Sequence, residues 1–292
     1  MKILFLSRWY PYPPNNGSKL RINNLLKGLC EHHDVSLLSF AEPSEITPDM
    51  ERPLSNFREI NIIPRKPFDP LSRKSRAGFF SATPRSFIDT FSPELANNIE
   101  QILNSEKFDL VLASQVDMAA YGRYFQQLPA IFEEAEVGVL YEQYKNATSF
   151  SQKLRYWLTW NKHKRFLAST LKYFKAATVV SQKERELLSQ AVSNHPIIQV
   201  IPNGVDTKSY RDVQEIQKPN TMIFTGVFNG RNFFNECNRP PTSNTRRLLG
   251  LPLIIRSATK WCLLNTSKSN SEMENFSEKN FAMISVKIFL KK

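Results

Sequence analysis

Side chains that can bind phosphates or sugar hydroxyls directly follow several of the predicted strands. Ser114 and Ser181 each end a short apolar run, and the sequence Glu133-Glu134-Ala135-Glu136 ends another. In an open sheet of parallel strands, ligands bind along the edge that the carboxyl ends of the strands form. The candidate positions at this edge are the Arg8–Arg21 loop, Ser114, Glu133 to Glu136, Ser181 and Asn203-Gly204.

The loop after the first predicted strand combines aromatic residues, prolines and a glycine. It begins at Arg8, contains Trp9 and Tyr10, and ends in Asn16-Gly17. We predict that Ser18 caps the next helix and that Gly17 needs a positive φ or a close backbone approach. The first amides of that helix would face a ligand above the strand, which predicts an anion or sugar site. The G-x-G-x-x-G spacing is missing, which disfavours a nicotinamide or flavin cofactor.

The acidic sequence Glu133 to Glu136 has two interpretations. Carboxylates at the carboxyl end of a strand can hold sugar hydroxyls or transfer protons. Glutamates just after a strand are also typical of a solvated edge or of the first turn of a helix, where the helix dipole favours negative charge. The second interpretation is favoured because no partner base lies nearby in the sequence. Glu134 and Glu136 remain the candidates for substrate contact.

A β-branched run, Ile197–Ile201, is followed by the turn sequence Pro202-Asn203-Gly204. Pro202 fixes its φ and Gly204 is expected to adopt a positive φ, so the strand must end here. The backbone of Asn203 and Gly204 is then exposed at the carboxyl end of the strand. By itself this sequence is more typical of a plain turn than of a binding site.

Apolar runs alternate with helical patterns through about the first 210 residues. This alternation predicts an α/β fold with a doubly wound parallel sheet of six or more strands. The predicted strands are Lys2–Ser7, Asp34–Phe40, Glu59–Ile63, Phe108–Ala113, Ala130–Phe132, Ala177–Ser181 and Ile197–Ile201. The predicted helices follow Ser18, lie near Leu71–Phe80, and begin at about Ser92, Asp117, Gln152 and Glu184.

A long basic helix is predicted over Gln152–Lys175, with Leu154, Trp157 and Leu158 in its apolar stripe. Such a helix can lie on an anionic membrane surface. It can also pack its stripe into the core and leave a basic face in solvent. The second interpretation is favoured because the helix lies between two predicted strands. His163 is expected at the surface.

The net charge of +12 is concentrated toward one end of the chain, because residues 227–292 contain 11 Lys and Arg against 4 Asp and Glu. The rest shows no basic stripe with interleaved aromatics, so nucleic acid is not predicted as a partner. The three cysteines lack metal-ligand or disulfide spacing. No run approaches the ~20 apolar residues of a membrane span and no signal segment is recognised, so a cytoplasmic location is expected.

Five motifs follow one another along the first 226 residues. Counting the strand Lys2–Ser7 together with the Pro13-Pro14 that follows it, they are Lys2–Ser7 with Pro13-Pro14, Asn16-Gly17-Ser18, His33-Asp34-Val35, Val179-Val180-Ser181 with Glu184, and Val200–Asp206. Their order resembles glycosyltransferase family 4, nearest to the bacterial enzymes of cell-surface polysaccharide synthesis. The resemblance implies a GT-B fold of two Rossmann-like domains and retaining transfer of a sugar from a nucleotide sugar to a saccharide or lipid-linked acceptor. It also implies no metal and no cofactor.

Thr221–Gly226 is similar to the first strand and glycine turn of the donor-binding second domain of this family. The family's donor site needs a Glu-x7-Glu pair. No two of the glutamates after Gly226 are eight residues apart. We therefore expect a Rossmann-like acceptor-side domain over 1–212, a linker and first donor strand over 213–226, and a truncated or aberrant tail over 227–292, irregular or disordered.

Two functions stay open on these grounds. The first is a glycosyltransferase of the hexosyltransferase type that is inactive as a truncated chain. The second is a non-catalytic remnant that binds a sugar or a partner through its Rossmann-like domain. Contact with the inner face of the cell membrane is a further option, and no residue is assigned as catalytic. The predicted substrate-binding residues are Asn16, Gly17, Ser18, Arg21, Glu134, Glu136 and Ser181, and the predicted donor-side entrance is Asn203, Gly204, Thr225 and Gly226.

Overall fold

The structure is a computed structural model that describes residues 1–46, 57–193 and 196–204, and the backbone of four short strands beyond residue 220. The chain divides into two compact units, Met1–Val205 and Asp206–Lys292. The strands of the first unit are β1 (Lys2–Ser7), β2 (Asp34–Ala41), β3 (Glu59–Pro64), β4 (Leu110–Ser114), β5 (Ala130–Glu133), β6 (Ala176–Val179) and β7 (Ile197–Val200). Its helices are α1 (Gly17–Cys30), α2 (Arg73–Ala77), α3 (Arg85–Thr90), α4 (Pro93–Ser105), α5 (Val116–Ala119), α6 (Gly138–Lys145), α7 (Phe150–Leu171) and α8 (Gln182–Ala191).

The seven strands form one sheet in the order β3-β2-β1-β4-β5-β6-β7, and every pair in it is parallel. This is the doubly wound, Rossmann-like sheet that the alternating sequence pattern predicts. The strand order reverses between β1 and β4, so the connections leave these two strands toward opposite sides. The crevice at such a reversal, outside the carboxyl ends, is where ligands bind in this class of fold.

The sheet is covered on both faces because its strands are apolar on both sides. Ile3 and Phe5 of β1 point toward α1 and pack with its Ile22 and Leu26. Their neighbours along β1 pack into a larger core on the other face, with residues from α4, α7 and α8. The members of that second core include Leu4, Leu6, Leu95, Ile99, Phe132, Leu167 and Leu188.

Two helical segments differ from the sequence prediction. Helix α5 is a single turn rather than a helix from Asp117 to Gln127, and a 3₁₀ turn at Gly122–Tyr124 follows it. That turn packs closely on the Tyr173 side chain, with which a Cβ at Gly122 would collide. Helix α3 lies in a stretch for which the sequence predicts no helix.

Helix α7 also differs from the prediction, in its burial. Its second half packs into the core through Trp160, Phe166 and Leu167, whereas Leu158, near the end of its first half, is exposed. His163 is buried rather than exposed and lies against the Phe87 ring. Burial lowers the His163 pKa to about 4, so the imidazole is neutral at physiological pH.

Within the second unit, the structure describes the backbone of β8 (Thr221–Phe224), β9 (Leu253–Arg256), β10 (Trp261–Leu263) and β11 (Ile284–Ile288). These strands form an antiparallel sheet in the order β10-β9-β11-β8. The predicted first donor strand coincides with β8. The predicted boundary at residue 212 lies outside the described residues, as does most of 227–292, and both expectations stay predictions. Among the described helices, none is long and apolar enough to span a bilayer.

Candidate functional site

Polar side chains converge where β1, β4 and β5 end. Ser7, Ser114 and Glu133 are the last residues of these strands and lie in register with one another. The Ser114 hydroxyl donates a 2.7 Å hydrogen bond to Glu133 Oε2, and both side chains are buried. The Ser114 hydroxyl, positioned by the sheet, therefore holds one oxygen of the Glu133 carboxylate in place.

Arg21 of α1 forms the other contact of that carboxylate. Its Nε donates to Glu133 Oε1 at 2.7 Å, and the two side chains are only 4% and 5% exposed. Arg21 reaches this position because it lies on the inward side of α1, beside the apolar Ile22. A buried charge of this kind is tolerated only when it is paired and hydrogen-bonded.

The same guanidinium also holds the segment that follows β7. Arg21 Nη1 donates to the Ile201 carbonyl at 3.0 Å and to Asn203 Oδ1 at 2.9 Å. Its Nη2 is buried and has no hydrogen-bond partner among the described residues. Arg21 thus joins the first helix, the end of β5 and the chain leaving the sheet. The N–H groups of Nη2 are able to donate a hydrogen bond to one more acceptor.

Two residues next to this ion pair have a strained backbone. Among the described non-glycine residues, Gln115 and Glu134 are the two with a positive φ, at 73° and 59°. They directly follow β4 and β5, and Gln115 Nε2 donates to Glu134 Oε2 at 3.2 Å. Such conformations cost on the order of 1–3 kcal/mol each and cluster at binding and catalytic sites.

The Glu134 carboxyl has a strongly shifted acidity. Burial, followed by the nearby Glu133 charge, raises its pKa from 4.5 to about 7. The Gln115 side chain, which donates to Glu134 Oε2, acts in the opposite direction and lowers this pKa. At neutral pH the group is protonated about half of the time, so it is able both to donate and to accept a proton.

Glu136 is largely exposed as a residue, but its carboxyl group is partly desolvated, and this, followed by the nearby Glu184 charge, raises the carboxyl pKa. Glu184 itself accepts hydrogen bonds from the Val137 and Gly138 amides at 2.9 and 3.0 Å. A Cβ at Gly138 would collide with the Glu184 carboxylate. This carboxylate anchors the start of α6, a helix that sequence reasoning missed because its stabilising partner lies far along the chain.

Ser181 serves as the cap of a helix in this structure. Its side chain accepts a 3.2 Å hydrogen bond from the Glu184 amide at the start of α8. A serine with a glutamate three residues later is the usual sequence of a helix N-terminus. The predicted contact of Ser181 with substrate is untested, and the capping role accounts for this residue by itself.

The structure corrects three expectations from the sequence, two at the start of α1 and one after β7. The cap is Asn16, whose Oδ1 accepts from the Lys19 amide at 2.9 Å, and Ser18 lies inside the helix. Gly17 has no positive φ, and a Cβ there would meet no atom within 4 Å. Gly204 has no positive φ either. The helix end is open above Gly17, which leaves space for a bound group.

A second ion pair spans the reversal of the strand order. Arg8, just after β1, donates from Nη1 to Asp117 Oδ2 at 2.6 Å. The guanidinium groups of Arg8 and Arg65 lie 5.0 and 4.8 Å from the centre of the Trp9 ring. A narrow cleft lined by Arg65, Asp117 and Tyr121 opens beside them. Sequence reasoning named the Arg8–Arg21 loop but missed Asp117 and Glu133 as its partners.

The structure therefore brings Arg21, Glu134 and Asn203 to one edge, with the start of α1 on the same edge. Thr225 and Gly226 lie outside the described residues. No group of three or more His, Cys, Asp or Glu side chains in the described part of the chain is arranged to hold a metal ion. The absence of a metal from the reaction remains a prediction.

We expect Arg21→Met to lower the free energy of unfolding by about 3–5 kcal/mol, because it leaves the Glu133 charge buried without a partner. The double variant Arg21→Met/Glu133→Met should lose less than Arg21→Met alone. Lys183→Met, which breaks an exposed ion pair with Glu142, should cost less than about 1 kcal/mol. Urea unfolding of the three variants measures these values. Equal losses for the double and single variants would contradict the buried-charge argument.

The stability of the wild type relative to Glu134→Gln should fall as pH rises from about 4.5 to 7, because the folded protein retains a proton that the unfolded chain releases. We expect a change of about 1–2 kcal/mol, discounted for the partial exposure of Glu134. A control is Glu142→Gln, because hydrogen bonding to Lys183 lowers the Glu142 pKa, so the corresponding stability difference should rise with pH and should do so below about pH 4.5. Denaturant unfolding from about pH 3 to pH 7 measures both. A flat difference for Glu134→Gln would show that its pKa is ordinary.

Comparison with known proteins gives similarity at the level of fold and family. UGT71G1 of Medicago truncatula, complexed with UDP-glucose, is 13% identical, with a TM-score of 0.42 over 75% of this chain and 54% of that one. UGT2 of Phytolacca americana is 7% identical, with a TM-score of 0.44 over 72% and 56%. A putative UDP-N-acetylglucosamine 2-epimerase of Listeria monocytogenes is 13% identical, with a TM-score of 0.39 over 68% of this chain and 44% of that one.

This chain thus spans about half the length of the solved structures that it matches. No curated protein matches its sequence. The family comparison is more extensive, because residues 15–209 match Glycosyltransferase Family 4. That match includes α1 and the carboxyl ends of β4 to β7, where Arg21, Gln115 and Glu134 meet. The chain belongs to Glycosyltransferase Family 4.

Proposed function

We propose that the first unit is the acceptor-side domain of a retaining glycosyltransferase that moves a sugar from a nucleotide sugar to a saccharide or lipid-linked acceptor. The observation that carries the proposal is the cluster of Arg21, Glu134 and Asn203 at the carboxyl edge of a chain that belongs to this family. We further propose that the product is a cell-surface polysaccharide and that the reaction takes place in the cytoplasm.

The start of α1 supplies the phosphate or hydroxyl contact in this proposal. Asn16 satisfies the Lys19 amide, while the amides of Gly17 and Ser18 belong to the unsatisfied first turn. These N–H groups, together with the helix dipole, favour an oxygen-rich ligand at this end. Because nothing occupies the space where a Gly17 Cβ would lie, a ligand can approach the backbone directly.

Glu134 supplies the proton-exchanging group. Sugar transfer requires an acceptor hydroxyl to lose its proton as the new bond forms, and an acid with a pKa of about 7 is suited to exchange that proton. The neutral form donates a hydrogen bond and the ionised form accepts one. Gln115 holds the Glu134 side chain in place through its 3.2 Å hydrogen bond.

The second candidate is a domain that binds a sugar without transferring it. One feature of the sequence favours this second candidate. No two glutamates after Gly226 have the Glu-x7-Glu spacing of the family's donor site. The two candidates share the acceptor-side contacts described above. They differ in whether nucleoside diphosphate is released once a donor-binding domain with the Glu-x7-Glu pair is joined to the first unit.

Replacing Gly17 with valine should weaken ligand binding about fivefold or more, because the side chain fills the approach to the helix amides and a lost hydrogen bond costs about 1 kcal/mol. The free energy of unfolding should change by less than about 1 kcal/mol. Gly28→Val is the matched control, since Gly28 lies in the same helix with equally open space but at its far end.

Calorimetry with a panel of UDP- and GDP-sugars and saccharides measures the binding, and urea unfolding measures the stability. If Gly17→Val and Gly28→Val bound every ligand like the wild type, the helix end would not be part of the site. Failure of the wild type to bind any member of the panel would count against both candidate functions.

The 292-residue chain should release no nucleoside diphosphate from UDP- or GDP-sugars in the presence of lipid-linked acceptors. Losing one electrostatic anchor of a transition state costs on the order of 3 kcal/mol, and both carboxylates of the family's donor pair are without a counterpart in the sequence. Multiple-turnover release by the pure protein, abolished by Glu134→Gln, would contradict this prediction and establish the transferase.

A further inference from the structure

Large apolar side chains project into solvent from two neighbouring segments of the first unit. In the segment between β3 and α3, Leu71 is 80% exposed, Phe79 60% and Phe80 97%. At the start of α7, Phe150 is 84% exposed. Isolated exposed apolar residues are normal, but four within two adjacent segments indicate an interaction surface.

The first half of α7 extends this surface. Phe150, Leu154, Trp157 and Leu158 have the i, i+4, i+7, i+8 spacing of one helix face, and each is at least 46% exposed. The apolar stripe that helix periodicity would bury in the core is therefore in solvent over the first ten residues of α7. Only the second half, from Trp160 onward, packs against the sheet.

Direct contacts join the two segments. Lys162 of α7 donates from Nζ to the Phe79 carbonyl at 2.7 Å and to the Gly78 carbonyl at 3.2 Å. Leu158 lies one turn before Lys162 on the same side of the helix. The Phe87 ring of α3 stacks on Phe166 of α7 at 4.4 Å. Residues 71–80 and 150–158 thus form one surface, which we name the aromatic face.

The charge around the aromatic face is predominantly positive. Helix α7 contains five Lys and Arg and no Asp or Glu, and residues 65–85 contain six Lys and Arg against the single Asp69. Lys153, Arg155, Arg73 and Lys74 are exposed. A second copy of the chain would set like charges against each other, which disfavours self-association through this face.

We propose that the aromatic face binds a bilayer that contains anionic lipids, with its aromatic and leucine side chains in the interface and its Lys and Arg residues on the headgroups. Basic residues around exposed Trp, Phe and Leu side chains are the composition of a surface that lies in a membrane interface. Protein–protein interfaces are depleted in lysine, whereas each Lys or Arg near an anionic membrane strengthens binding about fivefold.

This proposal goes beyond sugar transfer, since it requires neither donor nor acceptor. Phe87, which stacks on Phe166 of α7, also lines the cleft that Arg65, Asp117 and Tyr121 line. A domain bound through the aromatic face would hold the cleft near the membrane surface, where an acceptor attached to a lipid is within reach.

Flotation of the full chain with vesicles tests the proposal. Binding to phosphatidylcholine vesicles that contain phosphatidylglycerol should exceed binding to pure phosphatidylcholine vesicles at least about tenfold and should weaken as salt is added. Brominated phosphatidylcholine in the anionic vesicles should quench tryptophan emission. Trp157→Phe should remove that quenchable signal without loss of binding, because phenylalanine keeps the apolar contact.

Two substitutions and their matched controls separate the contributions. Phe79→Ser/Phe80→Ser should lower vesicle affinity at least about tenfold, whereas Ile197→Ser, at an exposed apolar residue of β7, should not. Lys153→Gln/Arg155→Gln should lower affinity for anionic vesicles about fivefold or more, whereas Lys27→Gln/Lys107→Gln, at exposed basic residues elsewhere, should have less effect. Circular dichroism should confirm that every variant is folded.

Three results would overturn the proposal. One is equal binding, or none, to anionic and neutral vesicles by the folded wild type. Another is equal loss of affinity in the aromatic-face variants and their controls. The third is sedimentation showing a wild-type dimer that Phe79→Ser/Phe80→Ser dissociates, because the face would then pair with a second copy. The calorimetric ligand binding of Gly17→Val is independent of all three, so the proposed function stands or falls separately.

Discussion

The buried ion pair between Arg21 and Glu133 is the interaction on which the geometry of the site depends. Its two charges are almost fully removed from water, so each needs the other and the hydrogen bonds from Ser114 and to Asn203. These contacts fix α1 against the ends of β4 and β5 and against the segment after β7. A displacement of the first helix would therefore disturb every strand end at the reversal of the sheet, which is where a ligand binds in this fold.

The strained residues Gln115 and Glu134 depend on that frame. A positive φ at two adjacent strand ends persists only where the surrounding structure compensates its cost. The sheet fixes the backbone on one side, since the Gln115 amide donates to the Glu133 carbonyl at 2.8 Å and the Glu134 amide donates to the Thr178 hydroxyl at 3.1 Å. The result is a carboxyl group with a raised pKa held beside a rigid arginine, in a chain of Glycosyltransferase Family 4.

The sequence predicted the sheet well because its strands are short, continuous apolar runs that need no distant partner to be recognised. It predicted the carboxyl edge for the same reason, and Arg21, Glu134 and Asn203 meet there. It failed where long-range contacts decide the structure: α6 begins on the Glu184 carboxylate, and the burial of His163 depends on the Phe87 ring. Periodicity showed an apolar stripe on α7 but could not show that, among the described residues, no element covers its first half.

Amide hydrogen exchange of the full chain, with and without a saturating nucleotide sugar or saccharide, tests most directly whether substrate binds at this edge. The amides of Gly17, Ser18, Val116 and Ala135 lie on or next to the proposed contacts, so ligand should slow their exchange. The opposite edge of the sheet, which includes His33 and Lys107, should exchange at unchanged rates. Protection confined to that opposite edge, with no change at the start of α1 or after β4 and β5, would contradict the proposed site.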